Sequence, residues 1–376
     1  MSSPIYLDFQ STTPLDCRVL DDMLPWLRAP ANPHSVQHAA GLSASQAVED
    51  ARSRLALATG TESEGVLFTP GATFACNLVM RSFCGPGARM VVSAIEHPCV
   101  LETARWCQAR GALLDIVPVS EDGLIDLDAA FELIEGAAFV SVMAVNNEVG
   151  TIQPIRELAE FCDAHDAVFH TDAAQALGRI PINDLGPETI ITVSSHKIYG
   201  PAGLGAVCAS PANLARLEPL VIGGGQQSGL HPGTIPTALA VGFGRASELA
   251  VIERDSDWAH CANLSQRFVD RLRRRGVSFA RNGDPSSSIP HNLNISFADI
   301  DADELLGLLP DVALATGSAC SSGAIGKSKV LEAMGLSTQR IAGAVRVGFG
   351  RPSRAEEIDE AVDLIAAAIV RLAEGS

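Results

Sequence analysis

Two neighbouring runs decide how this chain folds: "AVFHTDAAQ", residues 167–175, and "TIITVSSHKIYGPAG", residues 189–203. Each begins apolar and β-branched, as a buried strand does, and then breaks into polar residues and glycine. Asp172 and Gln175 follow the first run. Ser194, Ser195, His196 and Lys197 end the second. In open α/β sheets, ligands bind outside the carboxyl ends of the strands. Asp172 and Lys197, 197 − 172 = 25 residues apart, are therefore expected on one rim.

Other runs extend the pattern outward. "GVLFTPGAT" (65–73), "RMVVSAIEH" (89–97), "LLDIVPVS" (113–120), "AFVSVMAVNNE" (138–148) and "LGAVCAS" (204–210) read as further strands. Residues 98–110 have a helical pattern, and Ile155, Leu158, Ala159 and Cys162 fall on one helical face. Buried strands alternating with helices predict an α/β domain whose mostly parallel central sheet is flanked by helices. Beyond about residue 245 the texture changes. A polar helix at 257–275, a strand at 291–299, a helix near 302–309 and a terminal amphipathic helix suggest a smaller α+β domain. The expected division is a large domain of residues 15–250 and a small one of 1–14 with 251–376.

Composition narrows the function class. The 376 residues are 47% hydrophobic and 19% charged, with a mean hydropathy of +0.19, enough apolar material for about two domains. A net charge of −17 argues against direct nucleic-acid binding. No signal peptide and no membrane-spanning run is expected. The nine cysteines are odd in number, scattered and without a CxxC pair, which argues against a disulfide framework or a zinc site and for a cytoplasmic location.

Asp172 and Lys197 admit two readings. One is a buried salt bridge. The other is a pyridoxal phosphate site, in which the lysine carries the cofactor and the aspartate pairs with the ring nitrogen. The second requires a phosphate cradle. "TPGAT" (69–73) offers a glycine turn with Ala72 and Thr73 at a helix start, and Ser194 and His196 flank the lysine. "GGGQQSGLHPGT" (223–234) adds a second such turn, ending in Thr234.

The blocks "YLDFQSTTPLD" (6–16), "FTPGAT" (68–73), "EHPCVLET" (96–103), "NNEVGTIQPI" (146–155), "HTDAAQALGRIPI" (170–182), "SSHKIYGPAGLGA" (194–206), "TGSACSSG" (316–323) and "VRVGFGR" (345–351) occur in an order that resembles the NifS/IscS-type cysteine desulfurases. These are class V aminotransferase relatives with the pyridoxal-phosphate transferase fold of type I. The resemblance implies a homodimer that converts L-cysteine to L-alanine and passes the sulfur to an acceptor or scaffold protein. Lys197 would hold the cofactor, Asp172 its ring nitrogen, and His97 its ring face, with a proton-shuttling role. Gln175 and Asn147 would lie near the ring hydroxyl, Asn147 also near the substrate. Ala72, Thr73, Ser194 and His196 would hold the phosphate, with Thr234 reaching it from the second subunit. Cys320, in a Gly/Ser-rich loop of about 316–328, would receive the sulfur as a persulfide. Arg346 would grip the substrate carboxylate, with Arg351 the second choice. No metal ligand is expected.

The chain also departs from that family. Ser228 and His231 stand where arginines are usual, and Phe74 replaces an acidic residue. Rival readings are a selenocysteine lyase or another class V enzyme, and a non-catalytic cofactor-binding partner subunit. The basic run "RLRRRG" (271–276) reads as a solvated helix face.

Overall fold

The computed structural model describes residues 4–30, 32–317 and 328–375; Cys320 and its neighbours lie outside them. The chain enters on a short strand, β1 (Ile5–Tyr6), followed by helices α1 (Cys17–Arg28) and α2 (Ala39–Thr59). Seven strands then build one sheet: β2 (Val66–Thr69), β3 (Arg89–Ser93), β4 (Leu113–Val117), β5 (Phe139–Ser141), β6 (Val168–Asp172), β7 (Ile190–Ser194) and β8 (Gly205–Cys208). Their order is β2-β8-β7-β6-β5-β3-β4. All neighbours are parallel except β8, which runs antiparallel to both β2 and β7. The expected mostly parallel sheet is therefore present.

Helices α3 (Ala72–Phe83), α4 (Pro98–Gln108), α5 (Leu127–Ile134) and α6 (Ile155–Ala164) connect these strands, and the short α7 (Pro211–Leu214) follows β8. β5, β6 and β7 are buried at every position. Burial on both faces explains their continuous apolar runs, because helices cover each side. One apolar cluster, with Val140, Phe169 and Val193, packs under α2, α5 and α6. Another, with Val92, Phe139 and Val207, packs under α3 and α4.

Helix α8 (Thr237–Arg274) corrects the sequence reading. Its polar half was expected alone, over 257–275, yet one helix of 38 residues continues back to Thr237. The first half, with Ala240, Phe243 and Ala246, is buried in the large core, and no proline interrupts the run. The change of texture is a change of environment along one helix.

Beyond α8, β9 (Phe279–Asn282), β10 (Asn292–Phe297) and β12 (Ala344–Gly348) form a three-stranded antiparallel sheet in the order β12-β10-β9. The intervening β11 (Val312–Ala313) pairs with β1. A separate apolar cluster joins Leu7, Phe268, Leu293, Val347 and Ile365. The basic run at 271–276 is more engaged than a solvated face would be. Arg271 and Arg275 bond Asp363 at 2.7 and 2.6 Å, tying α8 to the C-terminal helix Ala355–Gly375.

Candidate active site

The carboxyl ends of β2, β6 and β7 open on a cavity of about 740 Å³. Nine of the residues expected at the site line it: Ala72, Thr73, His97, Asn147, Asp172, Gln175, Ser194, His196 and Lys197. Short strands deliver them. A strand that ends places its next side chain at the rim, whatever the loop does afterwards.

Asp172 closes β6 and is 5% exposed. Its Oδ1 accepts the Ala174 N–H at 2.9 Å. Burial raises its pKa, while His97 and Lys197 oppose that rise. A second partner with positive charge would hold the carboxylate ionised. The Lys197 ammonium donates to the carbonyls of Gln10 and Ser11, the latter at 2.7 Å. His97 caps α4, its Nδ1 accepting the Cys99 N–H at 3.2 Å, with Pro98 at the first helical position. Burial lowers the His97 pKa, so its ring is neutral near pH 7.

The anion end is built by backbone. Gly71 precedes α3 with φ +153° and supplies no side-chain cap, so the first N–H groups of the helix face the cavity without one. Close approach to the sheet requires Gly205: a Cβ there would lie 2.6 Å from Gly71 C, 2.7 Å from Val193 O and 2.8 Å from Ala72 N. His196, whose Nδ1 lies 3.0 Å from Thr12 Oγ1, is held low, at about 4, by burial.

Gln175 lines the wall, and the two arginines stand further back. Gln175 is buried, its Nε2 donating to Gln10 O at 2.9 Å and its Oε1 accepting from Arg179. Arg346 is 1% exposed and sits behind Asn147, donating to Asn147 O at 3.1 Å, Asp8 Oδ1 at 2.8 Å and Ser11 Oγ at 2.7 Å; its Nε has no partner. Arg351 is held by Asp257 and Asp16 at 2.8 and 3.0 Å and by the Tyr199 ring, away from the cavity. Thr234 is exposed and does not line this chain's own cavity. Cys320 lies outside the described residues.

Sequence reasoning missed two residues at the site, Gln10 and Glu148, and one contact, between Phe74 and His231. Gln10 receives Lys197 through its carbonyl from 187 residues away, a pairing with no local signature. Glu148 is buried and pushed up to about 7 by desolvation; its Oε2 accepts the Ser328 hydroxyl at 2.5 Å and abuts Gly317. It thus touches both residues that bracket 318–327. Phe74 and His231, noted only as departures, meet edge to face at the cavity mouth, centroids 5.0 Å apart at 71°.

The class V aminotransferase family model matches residues 5–361. The cysteine desulfurase IscS of Rickettsia typhi is 40% identical over 379 residues, covering 99% of this chain and 92% of that protein. A solved NifS-like protein superposes with a TM-score of 0.90 at 30% identity, covering 98% of this chain and all of its own. A structure described as SspA in complex with cysteine gives 0.81 at 31% identity, with 92% and 98% covered. Among the described residues no helix is long and apolar enough to cross a membrane. The fold, the ordered motifs and these likenesses agree: the chain belongs to the class V aminotransferase family, among its cysteine desulfurases of the IscS/NifS type.

Proposed function

We propose that this chain binds pyridoxal phosphate in the cavity described above and uses it to desulfurate L-cysteine. The family is pyridoxal-phosphate-dependent in general. The single observation that carries the reading for this chain is the convergence of a buried carboxylate, Asp172, and an ammonium, Lys197, on one cavity that an uncapped helix N-terminus also lines. The donor set fits the group. Asp172 suits a protonated pyridine nitrogen, Lys197 an aldehyde, and the α3 N-terminus with Thr73, Ser194 and His196 a phosphate. A plain salt bridge explains neither the cavity nor the helix end.

Bound there, pyridoxal phosphate supplies an electron sink for the substrate's α-carbon. Lys197 then holds and returns the α-proton at Nζ. Asp172 keeps positive charge on its partner through burial and proximity. Neutral His97 is available to pass a proton. Arg346, with Asn147, orients the substrate carboxylate. The net change balances as L-cysteine and the Cys320 thiol giving L-alanine and a Cys320 persulfide. The sulfur then passes to an acceptor protein.

The remaining assignments are part of the same reading. Residues 15–250 form the cofactor-binding domain, and 1–14 with 251–376 the smaller one. The chain acts as a cytoplasmic homodimer, with Thr234 completing the partner's phosphate site. A relative solved in complex with cysteine, SspA, supports the substrate. The test is alanine formed from L-cysteine by purified, cofactor-loaded protein with a reductant. Lys197→Ala should lose both visible absorption and alanine. Cys320→Ala should keep the absorption and lose the persulfide. Alanine and persulfide at the normal rate from Cys320→Ala would overturn the assignment of the nucleophile.

A further inference from the structure

None of the eight described cysteines is in a disulfide, and four of them are paired in space. Cys76 and Cys84 lie at α3 and its C-cap, Cys99 and Cys107 on α4. The offsets are equal: 99 − 76 = 23 and 107 − 84 = 23. Both helices therefore present cysteines to their shared seam in one register, and the thiols of each pair adjoin.

The two pairs differ in what surrounds them. Cys84 and Cys107 are buried beneath Arg81 and Arg110. Cys76 and Cys99 instead meet Asp172: the two Sγ atoms and a carboxylate oxygen all lie within 4.8 Å of one another. Cys99 and Asp172 line the cavity, which leaves a fourth direction open to it. The other polar neighbours are Thr192, whose Oγ1 is 3.4 Å from Cys76 Sγ, with Glu96, His97 and Lys197 in electrostatic reach.

We infer that Cys76, Cys99 and Asp172 form a site for a thiophilic divalent cation such as zinc or cadmium, open in the cofactor-free protein and closed by the cofactor. Two thiolates and one carboxylate, with a fourth position for water, make a donor set that suits such ions and not magnesium or calcium. Binding releases the two thiol protons to solvent, so affinity falls as pH falls. The bound cluster carries a net charge of −1, from two thiolates and a carboxylate against the divalent ion, and the Lys197 ammonium offsets it. No ligand spacing announces the site in the sequence, because its three donors come from α3, α4 and β6. The competition rests on the proposed cofactor reading, since one carboxylate cannot serve both a metal and a ring nitrogen.

The test titrates cadmium chloride into the full-length chain, stripped of cofactor and reconstituted, under a phosphine reductant that prevents disulfides. The ultraviolet thiolate-to-cadmium band and the visible cofactor absorption are read separately. The stripped protein should gain a band that Cys76→Ala and Cys99→Ala each lose, while Cys84→Ala keeps it in full. Cadmium held by Cys17 or Cys320 persists in the first two variants, so the lost amplitude is the readout. Reconstituted protein should show no such amplitude. Unchanged bands in both Cys76→Ala and Cys99→Ala would overturn the site. Equal bands in stripped and visibly loaded protein would overturn the competition. A chain that never takes up cofactor yet shows the cysteine-dependent band would support the metal site and sink the cofactor reading instead.

Discussion

The floor and the mouth of the cavity are built on different terms. The floor is Asp172, Lys197 and His97, set at strand ends or a helix cap and engaged in hydrogen bonds. The mouth is Phe74, Leu220 and the segment through His231, where Val221 and Ile222 stand exposed. On the floor, polar groups in a buried sheet fix a chemistry. At the mouth, where the resembling family carries opposite charges, this chain carries two rings in contact. A neutral pair packs through its rings and projects little field. The reaction and its approach path can therefore change independently, and substitutions at either level can break that independence.

The largest effect is expected on the floor. Asp172→Asn keeps the shape and removes the charge, so turnover should fall roughly 10²- to 10⁴-fold while protein folding is retained. The readouts are alanine formation and cofactor absorption, with circular dichroism for the fold. Normal turnover would remove the carboxylate from the chemistry.

Much of this floor was legible from the sequence, for a physical reason. Strand ends are marked by the abrupt end of an apolar run, and the residue that follows must sit at the rim. Thr73, His97, Asp172 and Lys197 could be placed that way. Gln10 could not, because its carbonyl reaches Lys197 through tertiary packing alone. Nor could the Cys76–Cys99 contact, which depends on how two helices lie on one sheet. The continuous α8 was misread because its buried and exposed halves differ in composition while sharing one backbone.

A second effect lies beneath the floor. Glu96 is buried and pushed up to about 8, chiefly by desolvation. Its Oε1 accepts from Ser93 Oγ and Met143 N, each at 2.6 Å. A folded pKa above the unfolded 4.5 means that its stabilising contribution is complete below pH 4.5 and is lost as pH rises through about 8. Glu96→Gln, which cannot ionise, should therefore gain stability relative to the parent between pH 5 and 8.5, by on the order of a few kcal/mol. Urea unfolding at the two pH values measures it, and a pH-independent difference would refute the burial argument.

Gly205→Ala should act on the floor's anion end. The added carbon meets only backbone, so the α3 turn or β7 must move. A loss of about 1–3 kcal/mol in stability is expected, together with weaker cofactor retention on dialysis. Retention unchanged despite the stability loss would mean that the turn does not hold the phosphate.

The smallest effect belongs to the mouth, and it tests the comparison most directly. Phe74 and His231 in edge-to-face contact should couple by about 0.5–1.5 kcal/mol in a double-mutant cycle to alanine. His231 is half-buried, which places the value toward the lower end. Cofactor absorption should stay at the parent level in both single variants, because Asp172 and Lys197 are held by backbone groups of Ala174, Gln10 and Ser11. The converse change, Phe74→Glu with His231→Arg, puts a charged pair in place of the rings. Exposed charges act through a field that salt screens, so sulfur transfer should become more dependent on ionic strength while cofactor occupancy holds. Loss of cofactor in the charged double variant would show that the mouth supports the floor. The replacement of charge by rings would then be a constraint on the chemistry and not only on what approaches it.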